Sequence, residues 1–111
     1  MINYDGRLFR PADEDGAEAP VARYHQDGDV VWAEFGGGRV RRGSIAGTCA
    51  PDGALRFGYC MVLADGELIL GSCDSVPDLL DDGRIRLTER WQRYRPHAAT
   101  GVSCLEEVPP A

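Results

Sequence analysis

Polar and apolar residues alternate in short runs along this chain. In "GRIRLTERWQR" (83–93), Arg84, Arg86, Thr88, Arg90 and Gln92 alternate with Ile85, Leu87, Glu89 and Trp91. A period of two places the sets on opposite faces of a β-strand. Comparable runs fall at about 7–11, 20–26, 29–35, 39–49, 54–64, 67–76, 84–94 and 101–108. Between them recur turn residues. Asp-Gly occurs six times in 111 residues, at 5–6, 15–16, 27–28, 52–53, 65–66 and 82–83. Both residues tolerate positive φ, which suits tight hairpins. "FGGGRV" (35–40) supplies another corner; a phosphate-cradling glycine loop needs a following helix, and none follows. No segment holds a 3.6-residue period. "SVPDLLDDG" is the one exception, a single helical turn predicted after Pro77.

Eight short strands joined by tight corners describe a meander. A meander with no helix to cover it closes on itself and loses its exposed edges. The prediction is all-β: one domain over 1–111, a small antiparallel up-and-down barrel of about eight strands. Such a barrel holds one small ligand or is filled by its own side chains. The acidic stretch "ADEDGAEA" (12–19) reads as a solvated loop near one mouth.

Alternation assigns the faces. Leu55, Phe57, Tyr59, Met61 and Leu63 point inward in one run, and Ile85, Leu87, Glu89 and Trp91 in another. In 101–108 the more apolar set is Val102, Cys104, Glu106 and Val108, and it is taken as inward. The run 67–76 is apolar on both faces, so its register stays open. Pairing 91 with 104 would bring Glu89 opposite Glu106. Two carboxyls that close cannot both ionise cheaply, so one becomes an acid or base usable near neutral pH. The structural alternative ties either one to Arg41, Arg42 or a backbone donor. Tyr59 is the third catalytic candidate. Tyr24, Gln26, Phe57, Met61, Leu63, Ser75, Leu87 and Trp91 complete the candidate ligand-binding set. A mostly apolar pocket with few polar groups is typical of small-molecule sites.

Charge and composition narrow the choices. The net charge of −6 disfavours nucleic acid as a partner. "RVRR" (39–42) reads as an exposed strand edge. No apolar run approaches the roughly 18 residues that span a membrane, and "MINYDGRLFRP" lacks signal-peptide features. The expected location is the cytoplasm. Cys49, Cys60, Cys73 and Cys104 form no metal-ligand spacing and read as reduced, buried thiols. His25 is expected outward and His97 in a loop, which leaves no metal site. No catalytic fingerprint is present, so any chemistry is expected to need no cofactor.

"MINYDGRLFRP", "YHQDGDVVWAEFGGGRV", "ADGELILGSC", "DGRIRLTERWQ" and the ending "EEV" together resemble a family of small bacterial proteins that carries the label n-acetylglutamate synthase. The likeness covers most of the chain. Acetyl transfer of that kind needs an acetyl-coenzyme A fold, for which this chain is too short. The resemblance implies instead a lipocalin-like (calycin) barrel. Glu67, Gly71, Cys73, Glu89, Trp91 and Glu106 match the family's motifs. The family has polar side chains, including a histidine, where this chain has Met61 and Leu63, which implies a greasier lumen.

Three functions follow. One is a binding barrel for a small hydrophobic molecule. A second is a cofactor-free isomerase or cyclase acting on such a molecule through a carboxyl or tyrosine. The third is an interaction module with a filled core, in which Val30, Trp32, Val62 and Leu68 or Leu70 make a homodimer or partner surface. An open lumen favours the first two, a packed one the third.

Overall fold

The computed structural model describes residues 2–12 and 20–109; most of the acidic stretch 12–19 lies outside them. Eight strands are present: β1 (Leu8–Pro11), β2 (Val21–Asp27), β3 (Val30–Gly37), β4 (Val40–Cys49), β5 (Leu55–Leu63), β6 (Leu68–Leu79), β7 (Ile85–Arg95) and β8 (Ala99–Val108). Each pairs antiparallel with the next, and β1 pairs with β8, closing the barrel. The expected all-β barrel is therefore what the chain forms.

Three corners share one geometry. Gly53 N bonds Ala50 O, Gly66 N bonds Leu63 O and Gly83 N bonds Leu80 O, each at 2.9 Å. These are tight turns followed by a glycine at φ near +90°. The preceding aspartate accepts a hydrogen bond from the backbone N–H two residues on, at Ala54, Glu67 and Arg84. Both Asp and Gly tolerate positive φ. Among the described residues only glycines are there. The aspartate serves through its carboxylate, and glycine alone takes the left-handed position.

Two sequence expectations fail locally. No helical turn follows Pro77; β6 runs through it to Leu79. Beyond Ser75 that strand has lost β5 and pairs only with β7, so a proline without an N–H is tolerated there. Nor are all four thiols buried. Cys49 and Cys73 are, Cys104 is partly covered, and Cys60 is exposed.

One end of the barrel is packed solid. Tyr4, Phe9, Tyr24, Val31, Leu55, Ile85 and Leu87 are nearly inaccessible. Tyr4 comes from the segment before β1 and plugs this end. Its hydroxyl donates to Gly53 O at 2.6 Å, and its backbone N–H donates to Gln26 Oε1 at 2.9 Å. Its ring packs 6.2 Å from Phe9 and 6.0 Å from Tyr24. Arg7 follows and forms an ion pair with Glu107 at 2.9 Å, next to the β1–β8 seam. Tyr4→Phe leaves the buried Gly53 carbonyl without its donor. It should lower stability by about 1–2 kcal/mol in urea unfolding without altering the strand signal in circular dichroism.

Candidate functional site

The other half of the barrel is open. A cavity of about 350 Å³ runs from the aromatic floor to the far ends of the strands. Phe9, Tyr24 and Phe57 line its lower part; Phe35, Tyr59, Met61 and Trp91 line its walls. Pro11, Pro20, Val40, Ile69 and Arg93 surround it toward the mouth.

Large rings surround a cavity here without filling it, and the register explains how. Phe35 pairs with Gly43, Tyr59 with Gly71 and Trp91 with Gly101. A Cβ at any of these glycines would run into the paired ring. Each ring therefore lies over the bare backbone of its neighbour and stays flat against the wall. Sequence reading took glycine as turn punctuation and missed this use. The available signal was a lone glycine inside a strand, which marks close approach.

Glu89 is the one carboxyl lining the cavity among the described residues. It lies between Ser75 on β6 and Ser103 on β8. Ser75 Oγ donates to Glu89 Oε2 at 2.9 Å. Burial raises the Glu89 pKa, while hydrogen bonds from Ser75 and Cys73 oppose the rise. Burial also raises the neighbouring groups: the Tyr24 hydroxyl, with added repulsion from Glu89, and the Cys73 thiol, pushed up to about 12 by burial and then Glu89. A thiol that weakly acidic is no nucleophile near neutral pH.

The expected Glu89–Glu106 pair does not form. Strand β8 begins at Ala99, and Trp91 pairs with Gly101 rather than Cys104. The shift of three residues is odd, so every side chain of the strand changes face. Ser103 and Leu105 line the cavity. Val102, expected inward, is 61% exposed. Glu106 pairs with Arg86 across β7–β8 and lies 3.9 Å from Arg84 and 3.8 Å from Arg86. Its partners are arginines, though not the Arg41 and Arg42 considered from the sequence.

The other candidates divide by depth. Tyr24, Phe57, Tyr59, Met61 and Trp91 line the cavity. Ser75 is fully buried behind Glu89, and Leu87 is fully buried in the packed half. Gln26 serves the plug, accepting from Tyr4 and donating to Gly28 O at 3.0 Å. Leu63, at the far end of β5, is not among the lining residues. Twelve of the lining positions were missed, among them Phe35, Cys73, Arg93, Ser103 and Leu105. The ambiguous strand resolves with Ile69 and Cys73 toward the cavity and Leu68 outward. His25 stacks on Trp32 at 5.5 Å, well away from the lining. No cluster of three potential metal ligands occurs among the described residues.

Residues 2–108 match the family described as avidin-like protein. The chain belongs to the avidin-like protein family. No curated protein and no solved structure matches it. The family match covers all eight strands of this avidin-like barrel, including every residue of the cavity wall. The acetyl-transfer label is not addressed by it.

Two outcomes test this geometry. The raised Glu89 pKa means that wild-type stability is greatest below the unfolded carboxyl value and falls as pH rises through the folded one. Glu89→Gln removes that loss while keeping an acceptor for Ser75. Its melting temperature should match wild type near pH 4 and exceed it at pH 8. Gly101→Ala should push Trp91 off the wall, shift its fluorescence and cost roughly 1–3 kcal/mol.

Proposed function

We propose that this avidin-like barrel binds one small, mostly apolar molecule in its lumen. The observation that carries this is the open cavity of about 350 Å³, walled by aromatic and aliphatic side chains with one carboxyl on its lining. That volume lies in the ordinary range for small-ligand pockets. A filled-core interaction module has less support. Of the residues considered for a partner surface, Val30 and Trp32 are exposed on β3 and Leu68 on β6, while Val62, beside Leu68 on β5, is only partly exposed.

The floor chemistry supports a second, catalytic use of the same site. Glu89 is a carboxyl whose pKa is raised, and the Tyr24 hydroxyl lies close enough for its own pKa to respond to it. When Glu89 carries its proton, its carboxyl and the Tyr24 hydroxyl are two donors available to one carbonyl oxygen of a bound molecule. Donation of that kind polarises the carbonyl toward attack by another group of the same molecule; Glu89 passes its proton to the carbonyl oxygen as the new bond forms and regains one from the attacking group, which is a cyclisation. Such a reaction would need no cofactor, and Glu89 takes the role first considered for a Glu89–Glu106 pair.

N-phenyl-1-naphthylamine, a neutral apolar dye, should bind Trp32→Phe protein one to one and quench Trp91. Trp91→Ala should weaken binding roughly tenfold, in line with the loss of a stacked aromatic contact. Glu106→Gln should leave it unchanged. Absence of dye binding to the folded protein would overturn the proposal. For the catalytic use, Glu89→Gln should keep dye affinity within about threefold and abolish turnover of any substrate found.

A further inference from the structure

The cavity wall ends in a cation. Arg93 lies on the inward face of β7, two residues beyond Trp91 and four beyond Glu89, and lines the cavity near its mouth. It is partly buried. Its one hydrogen bond among the described residues is from Nε to the His97 carbonyl at 3.0 Å. No carboxylate of the described residues pairs with it; Arg10, Arg23, Arg39, Arg41, Arg90 and Arg95 also form no ion pair with a described residue, but among the described arginines Arg93 is the one that lines the cavity. Its cross-strand neighbours are Gly71 and Ala99, which carry no charge. The remaining guanidinium N–H groups are thus left to whatever occupies the lumen mouth.

A partly desolvated guanidinium without a counter-ion is costly unless a ligand supplies the anion. Its flat fork suits a carboxylate or a similar oxyanion. Same-face residues four apart on a strand are separated by roughly 13 Å. A ligand reaching from Arg93 to Glu89 therefore crosses the face of Trp91.

We propose that the lumen ligand is an amphipathic monoanion whose carboxylate or equivalent head is held by Arg93 at the mouth, with its apolar body over Trp91 toward Glu89. This rests on the lumen being the binding site. The test measures displacement of N-phenyl-1-naphthylamine at pH 8 by decanoate and by decan-1-ol, which share a chain and differ in the head. Wild type should favour decanoate roughly tenfold, as expected for one charge-assisted contact. Arg93→Met should bring decanoate and decan-1-ol to parity when each is referred to the dye affinity of that variant, and Arg93→Lys should recover part of the preference. Arg56→Met, the same charge change on the outer wall, should keep it. Dye binding without a preference for decanoate, or a preference that survives Arg93→Met, overturns the assignment of Arg93 and leaves the lumen site standing. No dye binding at all overturns both.

Discussion

The cavity exists because three large rings are stored against the wall. Phe35, Tyr59 and Trp91 each meet a glycine on the neighbouring strand, and the space where a Cβ would stand is taken by the ring. An eight-stranded barrel is narrow, and its interior is just wide enough for side chains to fill it. Rings projecting toward the axis would close this one. Laid over glycine, they bury their faces on backbone and present a flat apolar surface. The arrangement also fixes register, because a one-residue slip would put a ring against a side chain. One set of contacts thus specifies both the pairing of the strands and the emptiness between them.

Burying a carboxyl in such a space is expensive, and the local structure offsets only part of the penalty. Ser75 is placed directly opposite Glu89 and donates to it. Yet the carboxyl remains less acidic than in water, because desolvation outweighs that bond. A residue chosen for stability alone would be apolar here. Retaining a poorly solvated carboxyl beside an open space is a common mark of a functional position. The packed half supplies the rigidity that this half gives up, with Phe9 and Tyr24 at 4.8 Å between ring centres forming the floor.

Strand alternation and turn chemistry made the architecture legible. Ile85, Leu87, Glu89 and Trp91 were readable as inward, since a charged residue at the rhythm of three apolar ones belongs to their face. The same rule failed on β8. There the apolar-looking set, Val102 and Cys104, faces outward, while Ser103 and Leu105 line the cavity. Patterning assumes an apolar interior. A lumen with a carboxyl in it recruits serine as a neighbour, and the polarity signal weakens just where the site lies. Arg93 was missed for a related reason: it continues the inward rhythm of β7, but arginine at a strand end reads as surface. Strand length mattered too, because starting β8 at Ala99 rather than 101 reset which side chains meet across the hairpin.

The floor of the cavity is built from the start of the chain, and its attachment points are far away in sequence. Tyr4 is anchored at Gly53, and Arg7 grips Glu107 across a separation of 100 residues. During synthesis the plug residues emerge before Gly53 and Glu107 and must wait for them. Contacts this distant carry a large loop-closure entropy and form late. Until β8 docks, the chain is an open sheet with two raw edges and no enclosed space at all. Closing the β1–β8 seam and enclosing the lumen are the same step. A ligand that enters only the closed cup stabilises the closed barrel and no open form of it, so its grip should be felt in how slowly the barrel opens rather than in how quickly it forms.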